Sequence, residues 1–185
     1  PFVDFFRSLG VKAVKAEAKE VPDALYTASR DAVRGFIQAL FTADGTVSVS
    51  KNKTHYIRLT SKSGKLLKGV QLLLLNLGMR SKIYDRSRPP RKTFTYRNRQ
   101  GVMKEYGSDG VLYELHISKD SIPSFLDKVG FMGGRHAEKL AAWKDVSFYA
   151  SRFEDRVASV QYAGLKKVYD LTEPLTHSFI GNGIV

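Results

Sequence analysis

Two places in this sequence combine residue types and spacing that chemistry could use. The first is the run Val168-Tyr169-Asp170-Leu171-Thr172, an apolar strand pattern that carries an acid. Seven residues after Asp170 comes His177, between Thr176 and Ser178, and an Asn182-Gly183 turn follows. Asn-Gly is a hairpin signal in its own right. A histidine suits acid–base work because its pKa lies near neutrality. Ordinary strand alternation also accounts for Asp170 and Thr172 as solvent-facing residues, so the pair alone does not decide. The second place is Asp44, in the last turn of the helical pattern Gly35-Phe36-Ile37-Gln38-Ala39-Leu40-Phe41-Thr42-Ala43-Asp44-Gly45. An anion there opposes the helix dipole by roughly 0.3–1 kcal/mol. A divalent cation would reverse that penalty. Ala39 and Ala43 lie four apart, hence on one face, and let a second helix approach closely.

These residues need elements to hold them. Phe2, Phe5, Phe6 and Leu9 have helical spacing up to Gly10, and a link ends in Lys19-Glu20-Val21-Pro22. A helix starts near Pro22-Asp23, and another runs from Ser29 or Asp31 to Ala43, with Gly45 expected as a left-handed stop. Strands are expected over 46–50 and 55–61, joined by Lys51-Asn52-Lys53. The leucine-rich helix 65–77 must be largely buried. Further strands are expected at 81–85, 93–97 and 112–118, and helices at 122–130 and 135–144. The stretches 86–92 and 98–110 read as mobile basic or glycine-containing turns, and short strands are expected after Phe148. The order gives an α+β unit with helices on one face of an antiparallel sheet. The other face is then free to be polar, and Arg58, Thr60 and Lys62, or Thr95 and Arg97, would share it.

Charge points to the partner of that face. The chain of 185 residues carries a net +12, and the stretch from Lys51 to Lys104 holds fifteen Lys or Arg against Asp85 alone. That leaves the remainder near neutral, so the charge is a local footprint for nucleic acid or an anionic surface. Candidate DNA contacts are Lys51, Lys53, Arg58, Lys62, Arg80, Lys82, Arg86, Arg88, Arg91, Arg97 and Arg99, with Arg suited to guanine edges and Lys to phosphates. There is no cysteine, which excludes disulfides, Cys-ligated zinc and thiol catalysis within this chain and suits a reducing cytoplasm. No apolar run reaches eighteen residues and no signal peptide is visible, so the expected site is cytoplasmic, without a membrane.

Phe36 to Gly45, with the order of strands and helices after it, resembles the LAGLIDADG homing endonucleases. The resemblance covers about residues 23–145. It implies an αββαββα subdomain whose basic antiparallel sheet grips double-stranded DNA. It also implies Mg²⁺, or another divalent cation, bound at the scissile phosphates by the last acid of the motif, Asp44. Thr42 stands where the family often has a second Asp, and Ala39 replaces its usual Gly. Lys19, before Val21-Pro22, resembles the family's supporting lysine, and Arg135 and His136 occupy its second basic position after Phe125-Leu126-Asp127-Lys128-Val129-Gly130-Phe131. Residues from about 148 to 185 resemble the C-terminal splicing motif of inteins. The resemblance implies that His177 assists asparagine cyclisation and that Asp170 couples the first acyl shift to branch formation.

The expected organisation follows. Residues 1–22 are the end of a first endonuclease subdomain and a linker, 23–147 are a LAGLIDADG subdomain, and 148–185 are the C-terminal part of an all-β Hint-type splicing domain. The expected function is an intein-encoded homing endonuclease that makes a metal-dependent double-strand break in a long DNA site, coupled to autocatalytic protein splicing. The alternative is a non-cleaving DNA- or RNA-binding module, maturase-like or a decayed endonuclease. The resemblance also implies a partner, the N-terminal half of the same intein, whose motif helix packs on the Ala39/Ala43 face. The cyclising asparagine and the N-terminal nucleophile of splicing are absent from the sequence, so this chain alone is expected neither to splice nor to cut.

Overall fold

Ser29 starts the helix on which the site is built. Its side chain accepts the backbone N–H of Ala32 at 3.3 Å, covering one donor that the helix start leaves unpaired. The helix then runs Arg30–Asp44 (α2), and its residues at four-residue spacing sort by size. Val33, Ile37 and Phe41 are buried, while Gly35, Ala39 and Ala43 are exposed. A computed structural model gives this arrangement and describes residues 2–49, 55–143, 146–148, 156–169, 172 and 174.

Gly45 ends α2, but not as a left-handed stop. Its backbone is extended (φ −76°, ψ 157°), and its N–H donates to the Phe41 carbonyl. A Cβ built there would lie 2.2 Å from that carbonyl oxygen. Glycine is needed for this close approach rather than for a positive φ, because the chain passes from helix to strand without a turn.

The strands β1 (Gly45–Val49), β2 (His55–Ser61), β3 (Ser81–Asp85) and β6 (Tyr113–Ile117) form an antiparallel sheet in the order β1-β2-β6-β3. Strand alternation gives the sheet two faces. Ile57, Leu59, Leu115 and Ile117 are buried on one, against α2 and the helix α3 (Gly64–Asn76). Leu66, Leu67, Val70, Leu73 and Leu74 bury α3, as its leucine content requires. Phe125 of α4 (Ile122–Lys128) closes the core against Phe41, with ring centres 4.9 Å apart. The short helices α1 (Phe2–Ser8) and α5 (Ala137–Ala141) complete the set among the described residues, apart from single 3₁₀ turns.

Two expected turns are ordered structure. Residues 98–110 contain a strand, β5 (Met103–Ser108), which pairs with β4 (Arg91–Arg97) as a two-stranded ribbon. Residues 86–88 are pinned by Arg86 N–H to Leu112 O at 2.8 Å and Arg88 N–H to Gly110 O at 2.9 Å. These bonds carry the β3–β6 pairing outward into the ribbon. Charged side chains hid this extension from the sequence, since each of these N–H groups finds its carbonyl more than twenty residues away.

The strands expected after Phe148 do not occur at residues 156–169, which are described and carry none. Val157, Val160, Tyr162, Leu165, Val168 and Tyr169 are all exposed there. A strand needs a neighbour to satisfy its backbone groups, and these residues pair with none. Asp170 and His177 lie outside the described residues, as do Lys51, Lys53 and Asn182. Among the described residues no helix is long and apolar enough to cross a membrane.

Candidate active site and nucleic-acid interface

Asp44 is exposed at the C-terminal end of α2, beside a cavity of about 370 Å³. Lys19 and Lys62 line the same cavity, with Leu40, Leu59 and Thr60 between them. Three local contacts bring Lys19 there from a distant part of the sequence. Ser63 caps α3 and donates its hydroxyl to the Lys19 carbonyl at 2.5 Å. Val21 is buried against α3 at Gly69, where a Cβ would lie 2.7 Å from the valine methyl. Glu20, between them, pairs with Lys12 at 2.5 Å and with Lys65. Hydrogen bonding to Lys12, then to Lys65, lowers the Glu20 carboxyl to a pKa of about 2. The linker is therefore clamped at the residue it presents and at the two that follow.

The Asp44 carboxylate makes no hydrogen bond or ion pair with the described residues. It extends the negative end of the helix dipole toward the cavity. A hard divalent cation fits that donor set, since Mg²⁺ is commonly held by one or two carboxylates with phosphate oxygens and water. No group of three His, Cys, Asp or Glu converges among the described residues, so Asp44 stands there as a lone carboxylate rather than as part of a closed metal cage. Thr42, within the last turn of α2, is structural. Its hydroxyl donates to Gln38 O at 2.7 Å and accepts the Met132 N–H at 2.9 Å.

The second basic position is also brought to this end of α2. Arg135 Nη2 reaches the Ala43 carbonyl at 3.5 Å. His136 adopts a left-handed backbone, φ 66°, and its ring stands edge-on to Phe131. Burial lowers its pKa, reinforced by the charges of Arg135 and Lys139. A larger cavity of about 700 Å³, lined by Arg30, Arg34, Asp127 and Lys128, opens at the N-terminal end of α2. Fifteen helical residues, about 20 Å, separate the two ends.

The polar face of the sheet carries Thr46 and Ser48 on β1, Tyr56, Arg58 and Thr60 on β2, Glu114 and His116 on β6, and Lys82 and Tyr84 on β3. Lys82 Nζ lies 5.4 Å from the Tyr84 ring centre, and the Arg86 guanidinium 4.9 Å from it. Arg88, Arg91, Arg97 and Arg99 are exposed along the ribbon and at its base. At the ribbon tip Asn98 Oδ1 accepts the N–H groups of Gln100 and Val102 at 3.0 and 2.9 Å.

Residues 31–130 match the model of the LAGLIDADG-like domain, more than half of the chain. The chain belongs to this family.

Its LAGLIDADG-like unit recurs in proteins of different kinds. The chain is 27% identical over 179 residues to a DNA polymerase of Thermococcus hydrothermalis, covering 91% of this chain and 10% of that protein. It is 28% identical over 214 residues to a DNA gyrase polypeptide of Mycolicibacterium flavescens, covering 90% and 38%. It is 26% identical over 188 residues to the ribonucleoside-diphosphate reductase NrdEB of Bacillus subtilis, covering 98% and 17%. The chain thus spans well under half the length of each of these relatives.

The LAGLIDADG-like fold distributes the expected DNA contacts unevenly. Lys82, Arg86, Arg88, Arg91, Arg97 and Arg99 are surface cations of the polar face and ribbon. Arg58 lies on that face but is bound to Glu114 at 2.5 Å. Lys62 sits beyond the end of β2, paired with Asp109 at 2.9 Å at the rim of the Asp44 cavity. Arg80 has its guanidinium paired with Asp120, and its backbone N–H donates to Ser121 Oγ. Charge counting cannot tell such a cation from a free one. Glu114, His116, Tyr56 and Tyr84 escaped the sequence reading because strand alternation makes them ordinary solvent-facing residues.

Proposed function

We propose that this chain is the C-terminal portion of an intein with an inserted homing endonuclease, which cuts both strands of a long DNA site with the help of a divalent cation. The observation that carries the reading is Asp44, an acid at the end of a motif helix without a partner among the described residues, sharing a cavity with Lys19. The same helix offers Gly35, Ala39 and Ala43, all exposed. A second motif helix, from the N-terminal half of the same intein, packs on this small face and brings a second acid beside Asp44. The basic face and ribbon lie against the phosphates of double-stranded DNA. The relatives support an inserted element, because a polymerase, a gyrase and a reductase share this segment and no common reaction explains it.

Asp44 would hold the cation, and Lys19 would neutralise charge that builds on the phosphate. When bound, Mg²⁺ supplies Lewis acidity and an activated water. Arg135 supports the carbonyl end of α2. In the splicing segment, Asp170 and His177 carry the acid–base steps, with His177 assisting asparagine cyclisation.

The test is cleavage by the chain combined with its N-terminal half, on DNA of the intein-free host gene. Asp44→Asn should lower Mg²⁺-dependent cleavage by about a thousand-fold, several kcal/mol of lost metal stabilisation, while leaving DNA binding intact. Unchanged cleavage by the variant would remove Asp44 from the metal site. Binding without cleavage by the unsubstituted protein would instead favour the maturase-like or decayed binding module.

A further inference from the structure

An acid lies in the middle of the proposed DNA-binding face, where gripping phosphate alone would exclude one. Glu114 is on β6, an interior strand, and is 8% exposed. Both of its oxygens are occupied. Oε1 accepts from Arg58 Nη1 at 2.5 Å, while Oε2 faces His116 Nε2 at 3.0 Å and Arg86 Nε at 3.5 Å. Burial pushes the carboxyl up, but the His116 hydrogen bond and the charges of Arg58, His116 and Arg86 outweigh it, so the group is held ionised.

Arg58 is fixed on a second side as well. Its guanidinium lies 5.5 Å from the Tyr56 ring centre, and Tyr56 in turn packs on His116 at 5.2 Å. Register places Arg58 directly opposite His116, and Thr60 opposite Glu114. The Arg58 side chain remains 30% exposed, so part of the fork reaches the surface. The outer cations differ: the Arg86 side chain is 52% exposed and Lys82 is exposed, each held only against Tyr84 or the edge of Glu114. A mobile cation serves phosphate equally well wherever the backbone runs. A planar fork locked in one orientation serves a planar pair of acceptors, as guanine presents with N7 and O6 in the major groove.

We infer that Arg58 reads a guanine in duplex DNA and that Glu114 is its positioning residue, holding the guanidinium in reading orientation. This rests on the DNA-binding reading proposed above. The two roles open to Glu114 differ in sign. If the acid were only a charge on the surface, Glu114→Gln would strengthen binding to every duplex alike. As a positioning residue, its loss flattens preference at one base pair.

The experiment selects bound sequences from a randomised duplex DNA pool with the full chain, with Glu114→Gln and with Arg58→Lys. The unsubstituted chain should enrich a G·C pair at the position Arg58 reads. Both variants should lose about tenfold or more of the discrimination at that same position and keep the rest of the site. Retained guanine preference in Glu114→Gln, or loss at different positions in the two variants, overturns the inference. If Glu114→Gln does not fold, Glu114→Asp carries the test, since the shorter acid keeps the charge and withdraws the oxygen from Arg58. If the unsubstituted chain binds no duplex DNA, the DNA-binding reading fails and the inference with it. Binding without any sequence preference leaves the DNA-binding reading standing and overturns the inference alone.

Discussion

Asp44 and Glu114 are both acids in a strongly basic chain, and the fold treats them in opposite ways. Asp44 stands exposed at a helix end that disfavours it, without a partner among the described residues. Glu114 is buried in a sheet with Arg58, Arg86 and His116 around it. Neutralisation is the difference. An acid whose charge is already balanced inside the molecule serves the molecule, by fixing its neighbours. An acid left unbalanced in an unfavourable place is the expected mark of a functional site. Charge balance thus fixes the neighbours of Glu114 and leaves Asp44 open to the cation proposed above.

The largest expected effect lies on the buried side. Glu114→Ala leaves the half-buried Arg58 guanidinium without its counter-ion, and removal of one partner from such a pair is strongly unfavourable. A loss of about 2–4 kcal/mol is expected, read as a lowered denaturant midpoint with an unchanged slope. A variant as stable as the parent would mean that Arg58 relaxes into water at no cost, and the contrast with Asp44 would collapse.

How much of this was legible in the sequence depends on how far apart the partners are. The helices α2 and α3 were readable because Val33, Ile37 and Phe41, or Leu66, Val70 and Leu73, repeat within about one turn of each other. The ends of the same helices were less so: Gly45 signals a stop, but not whether the stop is left-handed or extended. The pairing of Arg80 was not legible because its acid, Asp120, lies forty residues on. β5 was missed because Met103-Lys104-Glu105-Tyr106-Gly107-Ser108 lacks strand alternation. Its pairing across an Asn98 turn makes it a strand. Lys19 and Asp44 could be named separately from the sequence, but the shared cavity depends on Ser63 and Gly69 holding the linker to α3.

Glu20 sharpens the comparison as a second satisfied acid. Its folded pKa, about 2, is depressed from the ordinary carboxylate value of 4.5 by Lys12 and then Lys65. A depressed carboxylate stabilises the fold fully above its unfolded pKa, and the stabilisation disappears as pH falls through the folded value. Glu20→Gln should therefore melt below the parent at neutral pH, and the two melting curves should converge as pH falls from 4.5 toward about 2. A constant gap across that range would show that the two lysines hold the linker by contact rather than charge.

The smallest effect is the one that separates the two acids most cleanly, because its sign is reversed. Asp44→Ala removes an anion from the negative end of α2 and substitutes the strongest helix former. Stability should rise by about 0.3–1 kcal/mol at low salt. The dipole part of that gain should shrink as added salt screens the exposed site. The variant would then be more stable and, by the proposed mechanism, catalytically dead. A site that breaks a local rule is expected to give this pairing, since stability was forgone there for function. If Asp44→Ala instead destabilised the chain, Asp44 would have a structural partner, and its place beside Lys19 would need a different explanation. The measurement is a pair of denaturant titrations at low and high ionic strength, and Glu114→Ala run alongside should move the opposite way in both.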